Sequence, residues 1–406
     1  MSKILFITPM WHDATAPNDP KVCNYFVESW VQLGHTVTVI HLRSCFPAIY
    51  KYVAKLVPRL YKKFSGDNSE LRTDSKFSKE EYHGASVFTY PVYKYIPHGK
   101  VSHIFLNKLS CKINKEINGI GIEPDFIIGH FCNPSAELIL QLAKHYPSAK
   151  TALILHEGSY TLAKVLPGRE ESVLNAFRSI GYRSWSIQRD IESHFKLKNN
   201  RFICHSGIAS SFLQRPLCDR QWEDGPIRQF LFVGRLVYYK HPKANAEALV
   251  NVFGKKGFEY NIIGKKDVAS EDLTRYVKTE GLENSVHILG AMEREQIITW
   301  YDKSDCYVMI SRHEVFGLVY LEAMARGCIT IAGTDGGMEG IIKHGENGFL
   351  CDPGNVEQLS EIIREINKMT AAQKKFISDN AIKTARKFSD MEVATRYLSN
   401  IENDDN

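Results

Sequence analysis

Short apolar runs alternate with longer stretches of helical spacing along almost the whole chain, and that alternation leaves few folds open. The runs Ile4–Ile7, Thr36–Leu42, Ala85–Tyr90, Phe126–Ile128, Ala152–Leu155 and Arg201–Cys204 read as strands in the first half. In the second half Phe230–Val233, Tyr260–Ile263, Val286–Leu289, Cys306–Ile310, Ile329–Ala332 and the short Gly348–Leu350 read the same way. Between them lie apolar positions at helical spacing, over Val22–Leu33, Ser135–Lys144, Lys243–Phe253, Ser270–Glu280, Glu293–Trp300 and Val356–Lys368. Strand–helix–strand repetition is how parallel sheets are connected, so the pattern predicts doubly wound α/β domains. At 406 residues the chain is long enough for two of them. The polar stretch Gln214–Pro226 (QRPLCDRQWEDGP) is the best linker between them. In sheets of this kind ligands sit at the carboxyl ends of the strands, so the loops there are where chemistry is expected.

Composition narrows the class. With 44% hydrophobic and 24% charged residues, the chain is an ordinary globular protein. Nine cysteines without a C-x-x-C pair argue against a zinc site, and their odd number predicts reduced thiols in the cytosol. The N-terminus has Lys3, then Ile4–Ile7 stopped by Thr8-Pro9, which reads as a first strand and not an export signal. No apolar stretch approaches the ~20 residues needed to span a bilayer.

Charge is unevenly divided. Residues 1–205 carry 26 Lys and Arg against 17 Asp and Glu, whereas the rest carry 25 against 29. Residues 43–64 (RSCFPAIYKYVAKLVPRLYKKF) hold six basic residues and no acid. Aromatic and aliphatic residues recur there at helical spacing, with Lys51, Lys55, Arg59, Lys62 and Lys63 around the other side and Pro58 dividing the helix. A basic amphipathic helix of this kind lies on an anionic membrane surface, each basic residue contributing roughly 1 kcal/mol. A core helix with a solvated basic face is the alternative. No nucleic-acid motif accompanies the patch.

The segment SRHEVFGLVYLEAMARG carries the chemistry. Glu314 and Glu322 have seven residues between them, with Phe316-Gly317 inside the interval and Gly327 closing the run. Leu318, Leu321 and Ala325 predict a helix of about three turns ending at Gly327, which leaves Glu314 in the preceding loop and Glu322 on the second turn. Backbone N–H groups at such a helix start favour a phosphate, and the nearby carboxylates favour hydroxyls. Phosphate with hydroxyls suggests a nucleotide-sugar. After the strand Phe230–Val233 come Gly234-Arg235-Leu236 and then Lys240, a guanidinium and an ammonium suited to a diphosphate but weak as a signal when taken alone.

Together these residues resemble the donor-site signature of the retaining family 4 glycosyltransferases of GT-B fold, with departures at Val315 and Ile310. The resemblance implies two Rossmann-like domains facing across a cleft: 1–208, an acceptor domain completed by a C-terminal helix at about 388–406, and 209–387, a nucleotide-sugar domain. The ending TARKFSDMEVATRYLSN looks like that returning helix, and a hinge is expected near 208–225. The implied activity is transfer of a sugar from a UDP- or GDP-sugar to a hydroxyl of a glycan or lipid-linked glycan, without metal or other cofactor. Its setting would be bacterial surface polysaccharide synthesis on the inner face of the plasma membrane. Glu314 and His130 would contact the transferred sugar and Glu322 the ribose. Arg235, Lys240 and the stretch Phe316-Gly317-Leu318-Val319 would hold the diphosphate, with Gly264, Gly290 and Met292 near the base. Trp11, His12, His156 and Glu157 are the acceptor-side candidates. In GTDGGMEGIIKHGENGFLCDPG the glycines read as turns and Glu339 as a helix start. A glycoside hydrolase also uses two carboxylates, but has little use for a phosphate-binding helix start with Arg and Lys at hand. A sugar-nucleotide epimerase or a non-catalytic sugar-nucleotide binder on the same fold stays open.

Overall fold

The structure is a computed structural model and describes residues 1–13, 21–47, 49–56, 76–94, 101–218 and 220–403. The chain forms two compact units: Met1–Arg183 with Ile187–Cys204 and Ala394–Asn406, and Ser184–Ser186 with His205–Val393.

The first unit holds an eight-stranded sheet. Its strands are β1 (Lys3–Thr8), β2 (Thr36–Cys45), β3 (Ser78–Tyr82), β4 (Ala85–Tyr93), β5 (Phe126–His130), β6 (Lys150–Leu155), β7 (Ser179–Tyr182) and β8 (Asn200–Ile203), in the order β3-β4-β2-β1-β5-β6-β7-β8. All pairs are parallel except β3 with β4. Helices cover both faces of a parallel sheet, so its central strands β1, β5 and β6 are largely apolar and do not alternate. Every residue of β5 is buried for that reason. The helix Val22–Gln32 buries Cys23, Phe26, Val27 and Trp30, one stripe at helical spacing, and Gly34 at φ +87° turns the chain back into β2. The helix Asp390–Glu402 enters this unit at Ala394. There Trp30 donates to the Ala394 carbonyl (3.1 Å) and Asn200 to the Asn400 carbonyl (2.7 Å).

The second unit has six strands: β9 (Gln229–Val233), β10 (Glu259–Ile263), β11 (Val286–Gly290), β12 (Cys306–Met309), β13 (Ile329–Gly333) and β14 (Phe349–Cys351). Their order is β11-β10-β9-β12-β13-β14, and every pair is parallel. The chain runs outward from β9 to β11, then returns to β12 on the other side of β9. That reversal opens a crevice at the carboxyl ends of β9 and β12.

Several local expectations shift. The start of the expected linker belongs to the second unit: Arg326, wholly buried, donates to the carbonyls of Phe212, Arg215 and Pro216 and pairs with Asp302 at 2.7 Å. The donor-site helix is shorter than three turns, Leu318–Ala325. Glu339 lies in a turn and starts no helix. Of the basic amphipathic stretch, Ile49–Leu56 is helical; Pro58, Arg59, Lys62 and Lys63 lie outside the described residues.

Candidate active site

Two loops meet at the carboxyl edge of the second sheet. The first follows β9, where the Lys240 side chain folds back over Gly234; a Cβ at 234 would lie 3.3 Å from Lys240 Nζ. The second follows β12 and carries Glu314. Lys240 Nζ lies 3.1 Å from Glu314 Oε2, and the two side chains are only 11% and 18% exposed. Residues 74 positions apart in sequence are thereby paired where the strand order reverses. Arg235, in the same first loop, reaches Asp267 Oδ2 at 3.6 Å on the loop after β10.

Glycines let these loops approach. Gly234 donates to the Ile263 carbonyl (2.9 Å) and Gly264 to the Gly290 carbonyl (2.8 Å). A Cβ at Gly264 would lie 1.8 Å from the Gly234 carbonyl oxygen, so the two strand ends could not close with any side chain there. Beside them Gly290 ends β11 at φ +80° with open space over its Cα, and Met292 follows, partly buried.

Gly317 at φ +78° starts the helix Leu318–Ala325. A Cβ on it would meet the Tyr320 ring at 2.6 Å and the Glu314 side chain at 3.0 Å. Tyr320 is fixed in turn by its hydroxyl, which donates to the Met309 carbonyl (2.7 Å) and lies 2.8 Å from Ser311 Oγ. Burial first, and then the Glu314 charge, push this phenol far above its usual range, so it stays neutral. The glycine-rich stretch after β13 closes the loop from behind. Gly337 donates to the Glu314 carbonyl at 2.8 Å, in a position where a Cβ would lie 2.2 Å from Phe316 Cα. Val315 is among the residues with ordinary negative φ, so a side chain costs nothing there. Phe316 is buried, 5.2 Å from the His205 ring.

Glu322 lies on the second turn and is 6% exposed. One oxygen pairs with Arg294 and the other accepts from the Tyr301 hydroxyl at 3.3 Å. Arg294 also lies over the Phe212 ring, 5.1 Å from its centroid. Neither Arg294 nor Tyr301 was legible as a partner of Glu322, because more than twenty residues separate each from it and no local pattern links them.

The first-unit candidates present a different picture. His130 ends β5 with no exposed surface: Nδ1 lies 2.9 Å from His156 Nε2, and Nε2 lies 3.1 Å from the Tyr397 hydroxyl. Both ring nitrogens are thus engaged, which makes the imidazole a tie between strand end and C-terminal helix in this structure. A catalytic role by direct sugar contact does not fit that arrangement. Burial, reinforced by the Arg183 charge, holds His130 and His156 well below their usual pKa and therefore neutral. Glu157 accepts from the backbone N–H groups of Cys132 and His156, each at 3.0 Å, and burial raises its pKa. Trp11 is wholly buried, edge-on to Tyr82 at 5.1 Å, so its ring offers no face for stacking on a sugar. The His12 backbone is bracketed by Asn24, with both bonds at 3.1 Å.

Lys55 is exposed, as are Ile49, Tyr52 and Leu56 of the same short helix; Lys51 is helical. Among the described residues no helix is long and apolar enough to cross a membrane.

Comparisons with known proteins agree with this geometry. The model of the family "Glycosyl transferases group 1" matches residues 221–384, the span that carries Arg235, Lys240, Arg294, Glu314 and Glu322. An uncharacterized glycosyltransferase of Methanocaldococcus jannaschii is 24% identical over 360 residues, covering 86% of this chain and 95% of that protein. Among solved structures, the sucrose-phosphate synthase of Thermosynechococcus elongatus superposes with a TM-score of 0.67 at 16% identity, over 98% of each chain. The Anabaena protein HepE, solved with UDP and glucose, gives a TM-score of 0.63 at 17% identity, over 99% of this chain and 100% of its own. The chain has the GT-B fold, and its residues 221–384 are similar to the group 1 glycosyltransferases.

Proposed function

We propose that the chain moves a sugar from a nucleotide-sugar donor to a hydroxyl of a glycan or lipid-linked glycan, with retention at the anomeric carbon and no metal. The observation that carries the reading is the meeting of Lys240 and Glu314 at the reversal of strand order, beside a glycine-started helix. A diphosphate arriving there exchanges one ion pair for another. Lys240 turns to the phosphate, with Arg235 and the amides around Gly317, Leu318 and Val319 adding cations and N–H dipoles where negative charge grows as the bond to the sugar stretches. Glu314, released from Lys240, then faces the sugar ring and favours its oxocarbenium-like form. Glu322 meets the ribose with the lone pairs that Arg294 and Tyr301 leave open, and the strand ends at Gly264, Gly290 and Met292 meet the base. The departing phosphate takes the acceptor's proton. His130, His156 and Glu157 brace the strand ends of the first unit, which we assign to the acceptor.

A thermal-shift screen over UDP-, GDP- and ADP-sugars tests this, since a ligand at 100 times its Kd adds about 2.7 kcal/mol to stability. One donor should stabilise the protein, Lys240→Met should abolish that shift, and Glu314→Gln should keep it while lowering turnover about 100-fold or more. No response to any donor, or epimer formation without acceptor, would overturn the proposal.

We also propose attachment to the inner face of the plasma membrane, in surface polysaccharide synthesis, through the segment that contains Lys51, Lys55, Arg59, Lys62 and Lys63. Ile49, Tyr52 and Leu56 are 64%, 69% and 81% exposed, an apolar display at helical spacing that supports this reading. Replacing Lys51, Lys55, Lys62 and Lys63 by glutamate should release the protein from phosphatidylglycerol vesicles and leave donor binding intact. Vesicle binding equal to that of the native chain would refute the attachment.

A further inference from the structure

A cavity of about 210 Å3 lies wholly within the first unit, beside the segment that follows β5. Leu106, Pro134, Val165 and Leu166 supply aliphatic walls. His103, Asn133, Glu137 and Arg169 supply polar ones. Arg169 Nη2 pairs with Glu137 Oε1 at 2.7 Å, and His103 Nε2 lies 3.2 Å from the Gln141 amide. The wall at Cys132 is built and not incidental. The partly buried Glu157 side chain accepts from the Cys132 N–H, and Phe131, at φ +63°, stacks on His156 with ring centroids 3.8 Å apart. A left-handed non-glycine residue persists only where its surroundings enforce it.

Size and chemistry limit the occupant. The volume is many times the ~10–15 Å3 that one water needs, and below the ~300–1,000 Å3 of pockets that take larger ligands whole. A single ring fits that range. A free anion would meet Arg169 already neutralised by Glu137, and would be repelled by that carboxylate. An alkyl chain would strip water from four polar groups and return no hydrogen bonds, which is costly. A neutral polyol ring satisfies both sets of walls: its C–H groups rest on the aliphatic side chains, while a carboxylate, a guanidinium, an amide and an imidazole exchange hydrogen bonds with its hydroxyls.

We infer that this cavity is a saccharide subsite that takes one uncharged pyranose ring, belonging to the acceptor glycan. That last assignment rests on the glycosyl-transfer reading; the site itself does not. Saturation-transfer NMR of the full chain with glucose, galactose, mannose and N-acetylglucosamine at millimolar concentration tests it, with inorganic phosphate and hexanol as opposing probes. At least one monosaccharide should take up saturation from the native protein. The signal should fall to background in Val165→Phe, which fills the cavity from its rim, and in the Glu137→Gln/Arg169→Met double variant, which keeps the volume and removes the charges. The donor-induced thermal shift should be unchanged in both. Absence of any sugar signal, a signal equal in the variants, or cavity-dependent binding of phosphate or hexanol in place of sugars overturns the inference. Cavity-dependent sugar binding in a chain that responds to no nucleotide-sugar upholds the subsite while removing the transfer reading.

Discussion

Gly317→Ala isolates the helix start on which the donor site is built. The native residue sits at φ +78°, where an L side chain costs roughly 1–2 kcal/mol. The new methyl would also lie 2.6 Å from the Tyr320 ring, closer than any real contact. The ring cannot yield without giving up its hydroxyl's bonds to Met309 and Ser311, each contributing about 1 kcal/mol. The sum is about 3–4 kcal/mol. For a unit of about 190 residues, at ~2–4 °C per kcal/mol, the midpoint of thermal unfolding should drop by roughly 6–16 °C. Calorimetry reads this directly, and titration with the stabilising donor reports whether the site survives. Gly317→Asn separates the two causes, because asparagine tolerates the left-handed region and recovers only the backbone part, about 1–2 kcal/mol. An alanine variant within a degree of the native midpoint and with native donor affinity would show that the helix start is not held as described.

Two further outcomes follow from the electrostatics. Arg294→Met leaves the Glu322 carboxylate, 6% exposed, with only Tyr301; Arg294 is itself 30% exposed, so water softens the loss to about 2 kcal/mol, readable as a lower urea midpoint and reversed in Arg294→Met/Glu322→Gln. Native stability in the single variant would refute the pairing. The depressed pKa values of His130 and His156 mean that below pH 6.5 the unfolded chain binds protons there while the folded chain does not. Stability should therefore fall by about 2–3 kcal/mol between pH 7.5 and 5.5, and the slope should flatten in His130→Asn/His156→Asn. Glu157, with a pKa that burial raises, works in the opposite sense: folding favours its protonated form more than the unfolded chain does, so its contribution falls as pH rises. A urea midpoint that does not move over this range would refute the buried neutral pair.

The architecture was legible where strands are long, apolar and separated by helices, as from β9 to β13. It was less so where the signal is local but mixed. The strand Ser179–Tyr182 contains a glycine, and β3 is SKEEY, whose charges hide its extended form. The helices His103–Gly119, Trp185–His194 and Ala371–Arg386 were also missed, since their polar residues dilute the apolar stripe. For the site, motif spacing located Glu314, Glu322 and Lys240, because a helix start and a strand end are sequence-local features. It did not reveal that Lys240 meets Glu314, nor that Arg294 and Tyr301 occupy Glu322. Such pairings depend on strand order, which spacing does not encode. It also offered Trp11 and His130 as ligand contacts because both follow strands. The fold instead buries them, His130 under Phe26 of the helix Val22–Gln32 and Tyr397 of the C-terminal helix, and Trp11 against Tyr82 of β3.

The antiparallel strand β3 closes one flank of the first sheet with Lys79, Glu80 and Glu81 exposed along it. Behind it lies β4, ASVFTYPVY, nine residues of mostly β-branched and aromatic character. Left uncovered, that run would offer its unpaired peptide groups to any neighbouring molecule of the same kind, the first step toward fibrous or amorphous precipitate. A short charged ribbon therefore acts as a guard rail for solubility, and shortening the chain between β2 and β4 would sacrifice it.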